Sequence, residues 1–330
     1  MTRRMCSFGT TGTKRSESPC APSAGIGRIG WPRDSAHAGP KIGGLMLLAV
    51  MNCTLCVLSF GTDISVPTTR PTRQVAEIPF KVYQGYLIVV EGQIGNLGHQ
   101  NLLLDTGSNP SMIDSSVSAK LGLQGTARDL AVFNKSVASE SIKLPDLQFG
   151  PVRRQNLPVM VANLSLIGSR LGTRIDALIG LDVLGGINFT VDYPKRRIFF
   201  RASIERYTAP FTAGQQFITV NLRSGGRQLH LLLDTGTPQL VLFESHLRDV
   251  DYVWSGAIGS GQNVAGDVRF ETVVLPQARI GTQNVGPQRA SVVTSRTGIE
   301  SDLDGLMGVS CLRPKRVSFD FERQLLGWSD

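Results

Sequence analysis

The spacing of apolar and polar residues predicts a chain made mainly of β-hairpins from about residue 76 onward. Residues 87–94 form a mostly apolar run, a Gly-rich turn follows, and a second apolar run ends at Asp105. Residues 217–222, another Gly-rich turn and the run before Asp234 repeat this order. Short runs of alternating polarity are typical of half-buried antiparallel strands. The pattern therefore predicts an all-β fold.

Each of these regions ends in a further predicted hairpin. Residues 187–200 and residues 317–328 both read as two short strands around a tight turn. One short helix is expected at residues 115–121, where Gly122 would end it. The two regions thus share a beginning and an end, which suggests a duplicated unit.

A short phrase of sequence occurs twice. Residues 102–108 read Leu-Leu-Leu-Asp-Thr-Gly-Ser, and residues 231–237 read Leu-Leu-Leu-Asp-Thr-Gly-Thr. A buried strand that delivers a carboxylate to a tight glycine turn has this composition. Further on, residues 176–180 (Asp-Ala-Leu-Ile-Gly) are matched by residues 304–308 (Asp-Gly-Leu-Met-Gly). The offset is 129 residues for the first pair and 128 for the second, so the chain contains two copies of one unit.

This duplicated pair of motifs resembles the aspartic protease superfamily, in particular its retropepsin-like lobe, over residues 76–330. The family pattern is a strand running into Asp-Thr-Gly and, later, two apolar residues and a glycine before a short helix. Both parts are present in both copies. The resemblance implies a two-lobed acid protease fold, in which each lobe is a closed β-barrel with few short helices. We expect the lobes at residues 76–200 and 211–330, joined by a linker at residues 201–210.

The resemblance implies that Asp105 and Asp234 are the catalytic pair of an aspartic endopeptidase. Two carboxylates held about 3 Å apart cannot both ionise, so they share one proton. The ionised partner takes a proton from a water molecule, and the protonated partner donates one to the scissile carbonyl oxygen. The expected partner is a peptide or protein substrate, and no cofactor or metal is expected.

The resemblance also assigns a role to the three residues after each aspartate. The threonine is expected to lock the two loops together, and the glycine to let backbone N–H groups approach the carboxylates. The hydroxyl residue after the glycine is expected to donate a hydrogen bond to a carboxylate and favour its ionised form, which predicts an acidic pH optimum. These supporting residues are Thr106, Gly107, Ser108, Thr235, Gly236 and Thr237.

The substrate in this family is covered by hairpin flaps. Residues 132–147 and residues 256–266 are the expected flap positions, and Gly259-Ser260-Gly261 within the second is read as a loop. The flap tyrosine of the pepsins has no clear counterpart here. Phe133 is at most a loose equivalent.

Two other interpretations stay open at the level of sequence. One is a catalytically inactive retropepsin-like module that binds peptides or dimerises, because a fold alone does not establish activity. The other keeps the protease but forms its site between two chains. The presence of both aspartates and both following hydroxyl residues favours an active enzyme. Two lobes in one chain favour a monomer with an internal pseudo-dimer over an obligate homodimer.

The segment before the repeats has a different composition. Residues 1–40 are rich in Ser, Gly, Pro and Arg, whereas residues 42–60 are almost uncharged and mostly apolar. The second stretch predicts a secretory signal peptide, with a retained membrane anchor as the alternative. We therefore expect an N-terminal segment at residues 1–61, a Pro/Thr-rich linker at residues 62–75, and an exported protein that is periplasmic, extracellular or anchored to a membrane.

Charge and cysteine content narrow the function classes. The formal net charge is +8, but residues 1–61 carry seven Lys/Arg against two Asp/Glu. The small excess left for the repeats argues against nucleic acid as a partner. No His pair has metal-site spacing, and Cys311, the single cysteine of the repeats, is expected to be a small core residue. The basic clusters at residues 195–197 and 313–316 are expected to be solvated turns.

Overall fold

The protein is described by a computed structural model over residues 75–132, 135–214, 216–264, 266–293 and 302–330. All of these residues belong to one compact unit of the chain. Within these ranges no helix is long and apolar enough to cross a membrane.

Several predictions fall outside the described ranges. These are the N-terminal segment at residues 1–61 with its apolar stretch at 42–60, all but the last residue of the linker at 62–75, and the flap residue Phe133. They stay predictions.

The first half of the fold covers residues 75–200. Its strands are β1 (Glu77–Pro79), β2 (Lys81–Tyr83), β3 (Leu87–Ile94), β4 (Leu97–Leu104), β5 (Met112–Asp114), β6 (Thr126–Val132), β7 (Lys135–Phe149), β8 (Val152–Ala162), β9 (Ala177–Ile179), β10 (Phe189–Asp192) and β11 (Arg197–Phe199). Its helices are α1 (Ser115–Lys120), α2 (Ser165–Leu171) and α3 (Leu181–Leu184).

The second half covers residues 207–330. Its strands are β12 (Tyr207–Ala213), β13 (Ile218–Ser224), β14 (Arg227–Asp234), β15 (Leu240–Phe243), β16 (Val253–Asn263), β17 (Gly266–Leu275), β18 (Ala278–Ile280), β19 (Gln283–Asn284), β20 (Gln288–Val293), β21 (Gly305–Gly308), β22 (Arg316–Asp320) and β23 (Leu325–Ser329). Short 3₁₀ turns lie at Glu244–His246 and Val309–Leu312. The described chain is therefore mostly β-strand with few short helices, as predicted for the all-β class.

The predicted helix at residues 115–121 is confirmed as α1. Asp114 caps it, because its Oδ1 accepts a hydrogen bond from the Ser116 backbone N–H at 2.9 Å. Gly122 follows with a φ of 63°, a left-handed conformation that ends a helix and suits glycine.

The two halves share one order of strand pairing. In the first half β4 pairs with β9 in parallel, β5 pairs with β9 antiparallel, and β5 pairs with β8 in parallel. In the second half β14 and β21, β15 and β21, and β15 and β20 repeat these three relationships. The duplication read from the sequence is thus also a duplication of strand pairing.

The strands close on themselves more fully in the first half. The order β3-β4-β9-β5-β8-β7 is completed by pairing of β3 with β7. In the second half the equivalent of β7 is divided into β17, which pairs with β20, and β18, which pairs with β13. Leu275 ends the first of these strands and Ala278 begins the second, with Pro276 between them. Proline alone does not explain the division, because Pro145 lies at the equivalent point of the continuous strand β7.

A run of neighbouring strands joins the halves. Its order is β1-β11-β10-β22-β23-β12, so three strands of the first half and three of the second lie side by side in a single sheet. At its centre Thr190 pairs with Ser318 and Phe189 with Phe319, and the two phenyl rings stack at 4.6 Å between centroids. The main hydrophobic core runs continuously from one half to the other, and a second cluster lies in the first half around Leu87, Leu103 and Met112.

Four expectations about local structure need correction. The first flap hairpin is β6–β7, residues 126–149, so the predicted stretch 132–147 covers mainly its second strand. Gly259-Ser260-Gly261 lies in strand β16 and not in a loop, because it pairs with β17. The predicted linker at 201–210 is partly strand, since β12 begins at Tyr207. The short helix expected after the second Leu-Met-Gly is a 3₁₀ turn.

Candidate active site

The three leucines before each aspartate divide between two environments. In the first copy Leu102 and Leu104 belong to the main core, while Leu103 belongs to the second cluster and lines a cleft. In the second copy Leu232 lines the same cleft, and the leucines on either side of it are in the core. Because side chains alternate along a strand, two of every three leucines anchor the strand and the middle one faces the cleft.

The two aspartates meet at the floor of this cleft. A Cβ atom added to Gly107 would lie 2.5 Å from Cγ of Asp234, and one added to Gly236 would lie 2.5 Å from Cγ of Asp105. Each glycine therefore leaves the space that the carboxyl group of the other half occupies. Any side chain at either glycine would push the carboxyl group of the other half away from the loop.

Four hydrogen bonds between Thr106 and Thr235 and their surroundings tie the two loops together. The Thr106 hydroxyl donates to the Leu233 carbonyl at 2.8 Å, and the Thr235 hydroxyl donates to the Leu104 carbonyl at 2.8 Å. Each hydroxyl also accepts a bond of 3.0 Å from the backbone N–H of the other threonine. Both threonines are buried, so the loops are held in register by a fully satisfied polar network.

The later glycine of each motif packs against the loop that follows its aspartate. A Cβ atom at Gly180 would lie 2.3 Å from the Ser108 carbonyl oxygen, and one at Gly308 would lie 2.4 Å from the Thr237 carbonyl oxygen. The two apolar residues before each glycine form strands β9 and β21, which run beside β4 and β14. The two parts of the repeated motif thus meet in space at the site.

The surroundings of the two carboxyl groups differ. Asp105 is half-buried, and its carboxylate accepts hydrogen bonds from the Gly107 N–H at 2.9 Å and the Ser108 hydroxyl at 2.6 Å. Asp234 is only 7 % exposed and accepts a bond from the Gly236 N–H at 2.7 Å. Within the described residues the Thr237 hydroxyl makes no bond to Asp234 that would match the one from Ser108.

Burial raises the pKa of Asp234 well above its ordinary value, and the Asp105 carboxylate raises it further through its charge and a hydrogen bond. The N–H groups of Gly236 and Thr237 act in the opposite direction. Since the two acids are coupled, their titration belongs to the pair. The arrangement favours a pair of carboxyl groups that shares one proton.

The cleft above the pair has a volume of about 320 Å³. It is lined, among others, by Leu130 and Val132 of β6 and by Val268 and Phe270 of β17. Residues of hairpins β6–β7 and β16–β17 therefore line the cleft, and their role as flaps stays a prediction. The cleft walls are mainly apolar, and they suit the side chains of an extended peptide.

Two further acids support the site, and the sequence reading gave them no role. Asp176 accepts a hydrogen bond from the Asn101 N–H at 2.8 Å, and Asp304 accepts one from the His230 N–H at 2.7 Å. Each is buried and forms an ion pair with an arginine. They fix the strands that carry the two catalytic candidates. Because this aspartate recurs at the same position in both copies of the repeat, the sequence alone could have identified it as a supporting residue.

No group of three potential metal ligands is found among the described residues. Cys311 is buried and unpaired, as expected for a small core residue, and burial raises the pKa of its thiol to about 12. His99 and His230 lie on strands β4 and β14, away from each other in sequence and in separate halves.

Residues 90–183 of the chain match a protein-family model described as aspartyl protease. The matched range includes Asp105-Thr106-Gly107 and Leu178-Ile179-Gly180, and it lies in the first half of the fold. The match supports assignment to an aspartyl protease family. No curated protein matches the chain.

Proposed function

We propose that this protein is an aspartic endopeptidase whose single active site lies between two retropepsin-like lobes of one chain. The observation that carries the proposal is the reciprocal contact of the two Asp-Thr-Gly loops, in which each glycine makes room for the other half's carboxyl group. The family match to residues 90–183 supports the same class of reaction. The repeated strand pairing supports a second lobe of the same kind.

In the proposed reaction a water molecule lies between the carboxyl groups of Asp105 and Asp234. The Asp105 carboxylate accepts a proton from this water while the oxygen of the water attacks the scissile carbonyl carbon. Asp234 donates its proton to the carbonyl oxygen, which gives a tetrahedral diol. The proton held by Asp105 then passes to the leaving nitrogen, the C–N bond breaks, and Asp234 recovers a proton from the diol. No covalent enzyme intermediate forms.

The substrate is proposed to be a peptide or an unfolded protein segment. The cleft has mainly apolar walls and is lined by residues of two hairpins. Such a cleft fits an extended chain, whose side chains alternate between its two sides. Because both carboxyl groups belong to one chain, the proposed enzyme is a monomer. Export through the apolar stretch at residues 42–60 is proposed from the sequence alone.

The test is cleavage of a denatured protein by the full-length chain at several pH values. Asp105→Asn and Asp234→Asn should each reduce the rate by at least about 10³-fold, because neither remaining acid can both hold and release the proton. Asp129→Asn is the matched control, since this aspartate is exposed on strand β6. A folded wild-type protein that cleaves nothing, but still binds peptides, would instead favour the inactive peptide-binding module.

A further inference from the structure

One positively charged side chain stands at the edge of the cleft. Helix α2 forms part of the cleft wall through Ile167 and Leu171, and Arg170 between them also lines the cleft. Among the described residues that line this cleft, Arg170 is the only lysine or arginine. The acids there are Asp105 and Asp234.

The guanidinium of Arg170 has no carboxylate partner in the described part of the chain. Its Nη2 donates a long hydrogen bond of 3.5 Å to the Ser260 carbonyl oxygen on strand β16. The side chain is exposed, and its Nη1 lies close to Gly261, at 3.9 Å from where an added Cβ atom would stand. By contrast, the arginines beside Asp176 and Asp304 are each paired with a carboxylate. Arg170 therefore has donors available where α2 and the second flap hairpin meet.

We propose that Arg170 selects peptide substrates that carry an aspartate or glutamate side chain where the peptide passes between helix α2 and hairpin β16–β17. This inference rests on the proposed function, because it concerns the substrate of the same cleft.

A guanidinium presents several N–H groups in a planar fork and binds a carboxylate through two parallel hydrogen bonds. The catalytic pair keeps one negative charge and disfavours a second acid beside the scissile bond. Arg170 is the group in the described cleft wall that offsets the charge of an acidic side chain. Since this arginine is exposed at the edge, the expected preference is moderate, about fivefold to tenfold for a glutamate over a glutamine.

The experiment uses the full-length protein and a set of peptides that share an apolar cleavage site. Each position around that site carries glutamate in one peptide and glutamine in its partner, and kcat/KM is measured for both. The wild-type enzyme should prefer glutamate at one position by about fivefold to tenfold. Arg170→Gln should remove this preference, and Arg170→Glu should replace it with a preference for lysine at the same position.

Arg128→Gln is the matched control, because Arg128 is exposed on strand β6 and does not line the cleft. It should keep the wild-type ratio. Equal rates for every glutamate and glutamine pair would overturn the proposal. So would an Arg170→Gln variant that loses activity equally on all peptides, since the arginine would then only hold the flap hairpin through Ser260.

Binding separates this proposal from the proposed function. The same peptide pairs are titrated against Asp234→Asn and against the double variant Asp234→Asn/Arg170→Gln, with fluorescence anisotropy as the readout. A glutamate preference in the first variant that is absent in the second supports the role of Arg170, even if the wild-type chain cleaves none of the peptides. Equal dissociation constants for each pair in Asp234→Asn would contradict it.

Discussion

Asp105 and Asp234 occupy matching positions of the repeat, yet their chemical surroundings are unequal. Asp105 accepts a hydrogen bond from the Ser108 hydroxyl and is half-buried, whereas Asp234 is almost fully buried. The sequence located both acids but predicted equivalent support from Ser108 and Thr237. A side-chain torsion decides which of two similar hydroxyls reaches a carboxylate, and residue type alone does not determine that torsion.

The raised pKa of Asp234 leads to a prediction about stability. The folded state holds this proton more tightly than the unfolded chain, so the acid costs nothing below pH about 4 and destabilises the fold as the pH rises from there. Asp234→Asn removes this pH-dependent cost of keeping a proton on the buried acid and should raise the free energy of unfolding at pH 7 by about 1 kcal/mol. Differential scanning calorimetry should then show a higher Tm, by about 2–4 °C.

The gain should disappear near pH 3, where Asp234 is protonated in both states. Asp129→Asn should leave the Tm unchanged at both pH values, because that side chain is exposed. If Asp234→Asn is less stable than wild type at pH 7, burial of the Asp234 carboxyl group does not destabilise the fold at that pH.

The bond from Ser108 predicts a change in the pH dependence of cleavage. Its hydroxyl donates a 2.6 Å hydrogen bond to the Asp105 carboxylate, and such a bond favours the ionised form of the proposed catalytic pair. In Ser108→Ala the acid limb of the kcat/KM profile should move up by about one pH unit, the size expected from loss of one hydrogen bond to a charged group. Thr237→Ala should move it much less. Equal shifts in the two variants would contradict the unequal roles assigned to these hydroxyls.

At the scale of the elements, the apolar pattern predicted the hairpins β3–β4, β13–β14 and β22–β23, because each consists of largely buried apolar runs separated by a polar or Gly-rich turn. It failed where both faces of a strand are polar or small. Gly259-Ser260-Gly261 has no apolar alternation, yet it pairs with β17 through its backbone. Strand pairing of this kind depends on a neighbour distant in sequence, which a local pattern does not contain.

The two glycines of the Asp-Thr-Gly loops give a test at the level of the loop. Gly107→Ala would place a methyl group 2.5 Å from Cγ of Asp234, so the loops must separate or shift. Cleavage should fall by about 10²-fold or more, since a displacement of about 1 Å at reacting groups has an effect of this size. Gly236→Ala should behave alike.

Gly98→Ala and Gly226→Ala are the matched controls in the two halves. A Cβ atom at either position meets no atom within 4 Å, and both glycines lie in or beside hairpin turns. Their activity should stay within about twofold of wild type, the range typical of surface substitutions. Full activity of Gly107→Ala would show that the two carboxyl groups do not need the close approach seen here.

At the scale of the whole molecule, the chain between the halves crosses the shared sheet over a polar patch. The Ser203 N–H donates to the Ser318 hydroxyl at 3.0 Å, and the buried Glu205 pairs with Arg316 at 3.3 Å. Arg316 therefore does not belong to a merely solvated turn, as the sequence reading of residues 313–316 had it. Lys195 and Arg196 are exposed, as expected. The sequence could not pair Glu205 with Arg316, because they are distant along the chain and meet only through the pairing of β12 with β23 and of β23 with β22.

The placement of both aspartates in one chain supports the proposed monomeric enzyme over one that needs two chains. If each lobe paired with its copy in another molecule, Asp105→Asn would keep an intact Asp234 pair and retain activity. If the lobes were exchanged between chains, mixing Asp105→Asn with Asp234→Asn would restore sites with two acids.

The hydrogen bonds from Thr106 to Leu233 and from Thr235 to Leu104 lie within one chain. We therefore expect each variant and their equimolar mixture to be inactive, and wild-type specific activity to be independent of dilution. Wild type mixed with Asp105→Asn is the control and should retain activity in proportion to its wild-type content. Recovery of cleavage in the mixture of the two variants would mean that the halves exchange partners between molecules.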